Sequence, residues 1–101
     1  MSKNSKNVKH LSEASLKQIT ILKALYGGSK AITASKFERD INEIAELSGL
    51  ADEKETQRYL YILEGHKLVT PKPAGDFTSK MWALTDDGVK TFKQISKDFS
   101  L

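Results

Sequence analysis

Cysteine is absent from the chain, which removes disulfides, thiolate nucleophiles and cysteine-based zinc sites together. It fits a reducing compartment, so a cytoplasmic location is expected. No apolar run approaches the roughly 20 residues that span a bilayer, and the opening MSKNSKNVKH lacks the apolar segment of a signal peptide. No membrane partner is expected. A glycine-rich phosphate loop, a nucleophile elbow and a paired-carboxylate motif are also missing, and His10 and His66 stand alone, with no second ligand at i, i+4. Neither an enzyme, a metal site nor a cofactor is expected.

Acid is scarce in the first third. Up to Lys36 the only acidic residue is Glu13, set against Lys3, Lys6, Lys9, Lys17, Lys23, Lys30 and Lys36. The balance then reverses, with Glu38, Asp40, Glu43, Glu46, Asp52, Glu53 and Glu55 against Arg39 and Lys54. The net charge of +3 tilts the chain toward an anionic partner, and a surface for that partner must avoid the acidic block. With 101 residues and 39% hydrophobic content there is room for one domain with one modest core.

Residues 1–11 are polar and without periodicity, as in a segment that cannot bury enough surface to order itself. They read as a flexible basic arm, either a solubilising tail or an arm that touches phosphates. The domain proper is expected over residues 12–101.

Ser12 is placed to cap a first helix over residues 13–26, which ends at Gly27-Gly28. Leu16, Ile19, Leu22, Leu25 and Tyr26 form its apolar stripe, widened by Ile21. So wide an arc suggests either a central helix or one that also packs on a second subunit. Residues 30–33 read as a small edge strand, and Thr33 as the cap of a second helix over 34–47, with Phe37, Ile41, Ile44 and Ala45 inward. Ser35 and Lys36 would then lie in its first turn, where free N–H groups suit a phosphate. Gly49 stops that helix, Leu50 can plug the core, and Asp52 with Glu55 can form an approximate capping box for a third helix.

Within DEKETQRYLYILEGHKLV (52–69), Lys54, Gln57, Arg58 and Tyr61 share one stripe of a helical net, and Thr56, Tyr59, Leu60 and Leu63 the opposite one. Arginine pairs with guanine, glutamine with adenine, and lysine neutralises phosphate. The stripe is therefore a candidate DNA-reading face; its plainer reading is a solvated helix surface. The carboxylates at the start of this helix would repel phosphate unless they accept hydrogen bonds from cytosine or from internal basic residues.

After Leu63 the period becomes alternating. Residues 67–70 read as a strand, 71–76 as its exit and turn, and 80–84 as a returning strand with Trp82 and Leu84 on one face. Pro71 and Pro73 confine the first strand to a sheet edge. Lys72 and Lys80 flank the turn, where they could reach phosphates or simply discourage edge aggregation. Trp82 and Phe77 could stack on bases, although Trp82 suits an anchor to the core better. Thr85 caps a last helix whose apolar line is Val89, Phe92, Ile95 and Phe99.

EIAELSGL (43–50), TQRYLYILEGHKLV (56–69) and WALTDDGVKTF (82–92), in this order, resemble prokaryotic winged helix-turn-helix regulators of the MarR, PadR and ArsR groups and small winged-helix proteins of plasmids and viruses. Leu63-Glu64 with Leu68-Val69, and Leu84-Thr85 with Gly88, match the ends of the family's recognition helix and wing. Arg58 stands where the family often exposes an arginine. The chain departs in three places: Lys67 replaces a common glycine, leaving Gly65 or a strained residue to make the turn; the turn before the third helix is about one residue longer; and Asp52, Glu53 and Glu55 crowd that helix's start.

The resemblance implies an α+β fold, mostly α, with a three-helix core, a β-hairpin wing and a C-terminal helix. It implies sequence-specific binding of double-stranded DNA by a homodimer: a transcriptional repressor, or a protein of plasmid partition or replication control. The alternative is a winged-helix module that binds a second protein and no DNA. Expected DNA contacts are Ser35, Lys36, Lys54, Gln57, Arg58, Tyr61, Lys72 and Lys80.

Overall fold

The structure, a computed structural model, describes residues 12–27, 37–50 and 52–99. Among them four helices and three strands form an α+β domain, in the order α1 (Glu13–Tyr26), β1 (Glu38–Asp40), α2 (Ile41–Ser48), α3 (Glu53–Gly65), β2 (Val69–Lys72), β3 (Met81–Leu84) and α4 (Asp86–Phe99). The sheet is antiparallel with β3 in the centre, in the order β1-β3-β2. None of these helices is long and apolar enough to cross a membrane.

Local chemistry sets the helix ends. The Ser12 hydroxyl accepts from the Ser15 amide at 3.0 Å, and the Thr85 hydroxyl accepts from Gly88 at 2.9 Å, each satisfying an amide the helix leaves open. Gly49 closes α2 in the left-handed region, φ 71°.

The second helix starts later than the apolar spacing predicts. Phe37 takes a left-handed φ of 58°, which no continuous right-handed helix over 34–47 can contain. Residues 38–40 pair as a strand with β3, Glu38 opposite Ala83 and Asp40 opposite Met81. Asp40 then caps α2, its carboxylate accepting from Asn42 at 2.7 Å, with Glu43 completing a capping box. The expected strand at 30–33, the cap Thr33 and the basic arm lie outside the described residues. Phe37 still packs on the core, its ring stacked on Tyr26 with centroids 5.2 Å apart.

The first hairpin strand is shifted two residues toward the C-terminus. Val69 pairs with Leu84 and Pro71 with Trp82, so Pro71 belongs to the strand and not to its exit. It is tolerated because β2 is an edge. Of the two candidates for the bend between α3 and β2, it is Lys67 that takes the left-handed conformation, φ 64°, while Gly65 ends the helix.

The core joins Ile21, Leu22 and Leu25 of α1 to Ile41 and Ile44 of α2, Leu60 and Leu63 of α3, Trp82 and Leu84 of β3, and Phe92 of α4. Thr56 is also buried, and its hydroxyl donates to the Asp52 carbonyl at 2.9 Å, so the burial strands no polar group. The buried arc of α1 is narrower than its apolar spacing suggests: Leu16 is 48% exposed. Gly88 brings α4 against the chain leaving α3; a Cβ there would stand 2.0 Å from the Leu68 carbonyl oxygen.

Candidate nucleic-acid interface

Helix α3 buries Thr56, Leu60 and Leu63 and half-buries Tyr59. The opposite stripe faces out: Lys54, Arg58 and Tyr61 are exposed and Gln57 is half-buried. Neither Lys54 nor Arg58 forms an ion pair with another described residue. Two cations one helical turn apart, with an amide beside them, can meet a polyanion and offer donors to base edges.

The carboxylates at the start of α3 are turned to internal partners. Asp52 accepts from the Glu55 amide at 2.8 Å. Glu53 pairs with the Lys80 ammonium. Glu55 accepts from Lys17 of α1 at 2.8 Å, across the helix pair. That hydrogen bond, with the field of the same carboxylate, raises the Lys17 pKa above its ordinary value against a smaller opposing effect of burial. Two of the three carboxylates are thus paired with lysines from within, while Asp52 keeps its charge at the exposed helix cap.

Lys72 and Lys80 flank the β2–β3 turn, both exposed. Lys80 is already paired with Glu53, whereas Lys72 presents its side chain at the sheet edge. The turn is internally bonded. The Asp76 carboxylate accepts from the Thr78 hydroxyl at 2.5 Å and from its amide at 3.0 Å, and these bonds, the hydroxyl first, hold its pKa below the usual carboxylate value. Ser79 donates its hydroxyl to the Lys72 carbonyl at 2.6 Å.

Tyr61 is 44% exposed, yet it has an internal partner: its hydroxyl donates to the Phe77 carbonyl at 3.1 Å. Trp82 is fully buried and its indole N–H donates to the Ser79 carbonyl at 3.1 Å, so it anchors the hairpin to the core and offers no face to a base. Phe77 remains 40% exposed.

Helix and hairpin therefore bring Lys54, Gln57, Arg58, Tyr61, Lys72 and Lys80 onto two adjoining elements. Ser35 and Lys36 lie outside the described residues, and the helix whose first turn they were expected to form begins at Ile41.

Sequence reasoning missed Arg39. Its Nε donates to the Ala24 carbonyl at 2.7 Å and its Nη2 to the Gly27 carbonyl at 2.9 Å, closing the C-terminal end of α1, with Glu43 3.9 Å away. No local pattern announces a cap supplied from beyond the helix, although the Asp40-to-Glu43 spacing could have placed the start of α2. No family model, curated protein or solved structure matches this chain.

Proposed function

We propose that this domain is a winged helix that binds double-stranded DNA as a homodimer. Helix α3 enters the major groove, with Arg58 and Gln57 toward base edges and Lys54 toward phosphate, while Lys72 at the hairpin meets the flanking backbone. The observation that carries this reading is the internal pairing of Glu53 with Lys80 and of Glu55 with Lys17, and the engagement of Asp52 in capping the helix, beside the exposed cations Lys54 and Arg58 of the stripe. The helix, turn and helix followed by a hairpin agree with it.

The second subunit is assigned to the α1–α4 side. A groove of about 310 Å³ there is lined mainly by apolar residues, among them Ile19, Leu68, Ile95 and Phe99, with Gln18 and His66 at its polar side, a surface of the kind that packs between subunits. Occupancy of a promoter makes such a protein a repressor; plasmid partition and replication control would use the same surface. The rival is a winged-helix module in which acidic α2, with Glu43 and Glu46 exposed, and Tyr61 bind a protein partner and DNA plays no part.

Binding measured by fluorescence anisotropy over a salt series separates the two. Affinity for DNA should fall steeply as salt rises. Arg58→Ala should remove sequence preference, and Lys72→Ala should weaken all duplexes alike. No binding to duplex at low salt removes the DNA reading, and stable capture of a protein partner with it favours the rival. Light scattering at micromolar concentration tests the dimer, and a monomer mass removes it.

A further inference from the structure

Contacts from α3 converge on the β2–β3 turn at two places. At one, the Tyr61 hydroxyl donates to the Phe77 carbonyl at 3.1 Å, its ring meets Phe77 edge-on with centroids 5.8 Å apart, and both rings rest on buried Trp82 at 6.1 and 6.3 Å. At the other, Glu53 holds the Lys80 ammonium. Glu53 and Tyr61 are eight positions apart on the helix, which sets these two points on α3 roughly 12 Å apart. One anchor leaves a pivot; two remove it. The turn is itself stiffened by Asp76, Ser79 and the Trp82 indole, so it moves as a body.

We propose that Tyr61 and Glu53 latch the β2–β3 turn onto α3, so that helix and hairpin meet DNA as one rigid unit. In this assignment Tyr61 is a positioning residue and makes no DNA contact: its hydroxyl donates within the domain and its ring packs against those of Phe77 and Trp82. The consequence for DNA rests on the reading above, because a fixed turn keeps Lys72 in register with Gln57 and Arg58 without an ordering cost on binding. The latch itself needs no DNA.

Amide hydrogen exchange of the full chain without DNA tests the latch, comparing wild type with Tyr61→Phe, Tyr61→Ala and Glu53→Gln. In Tyr61→Ala the amides of Asp76, Thr78 and Ser79 should exchange about five to ten times faster, the loss of one hydrogen bond and a ring pair. Leu22 and Leu25 should be unchanged. Tyr61→Phe keeps the ring and should fall between, and Glu53→Gln should loosen the same amides. Turn amides that exchange at the wild-type rate in Tyr61→Ala overturn the latch.

With a duplex selected from a random pool, Lys72→Ala should cost more affinity in the wild type than in Tyr61→Ala, whose turn is already loose. Loss of binding in Tyr61→Phe with turn amides unchanged means that Tyr61 touches DNA, and overturns its assignment as a positioning residue. If no variant and no wild type binds duplex at low salt, the DNA reading fails and the exchange rates alone uphold or overturn the latch.

Discussion

Gly88→Ala places a methyl group where the chain leaving α3 already stands. The added Cβ would lie 2.0 Å from the Leu68 carbonyl oxygen and 3.0 Å from its carbon, both backbone atoms that no rotamer change can move aside. To bring that contact out to an ordinary 3.4 Å, the first turn of α4 must retreat by more than an ångström. Two hydrogen bonds resist: the Thr85 amide to the Leu68 carbonyl at 3.0 Å and the Thr85 hydroxyl to the Lys67 carbonyl at 2.8 Å.

Losing both costs about 2 kcal/mol, and overpacking adds about 1–3 kcal/mol. Alanine's better helix propensity returns about 1 kcal/mol. The net loss of about 2–4 kcal/mol is a large part of a small domain's stability and should lower Tm by roughly 10–25 °C. Gly65→Ala is the matched control, since Gly65 also lies in a helix, at its last position, but has nothing within 4 Å of its added Cβ; it should gain up to about 1 kcal/mol. Thermal unfolding followed by circular dichroism reads both. A Gly88→Ala protein that melts with the wild type, or both variants shifting the same way, would refute the close approach.

Lys67→Gly should stabilise: relief of a left-handed lysine is worth about 1–2 kcal/mol, less about 0.4–1 kcal/mol for glycine's extra freedom when unfolded, so Tm should rise by a few degrees. Arg39→Met keeps the stem but removes the donors to Ala24 and Gly27; a loss of about 1–3 kcal/mol in urea denaturation is expected, and an unchanged midpoint would contradict the cap. The Lys17 pKa is raised in the folded protein by Glu55, so this pair contributes its full stability below the unfolded lysine value of about 10.4 and loses it as pH rises through the raised folded value. The Tm gap between wild type and Glu55→Gln should therefore be constant through neutral pH and close at alkaline pH; a gap that widens there is the wrong sign.

The elements with strong local signals were legible. Ser12 and Thr85 advertise their caps, the spacing of Thr56, Leu60 and Leu63 marks the buried side of α3, and alternation picks out the hairpin around Trp82. What escaped depended on distant partners. Glu38-Arg39-Asp40 has no β-propensity, and becomes a strand only because β3 offers it a free edge. Phe37 reads as an inward helical residue because its apolar side chain does reach the core, though from a backbone that ends any helix. At the candidate site, the spacing located the exposed stripe, but only tertiary packing decides that Glu55 turns to Lys17 and that Tyr61 bonds the hairpin.

The two outer strands reach β3 by very different routes. β2 arrives across a short turn, whereas Glu38 must find Ala83 after α2, α3 and the whole hairpin have been threaded between them. Closing the longer loop loses more chain entropy, and such contacts form late in folding. The edge strand β1 is thus the part of the sheet whose closure costs the most chain entropy, and three charged residues hold their register only with the rest of the domain in place.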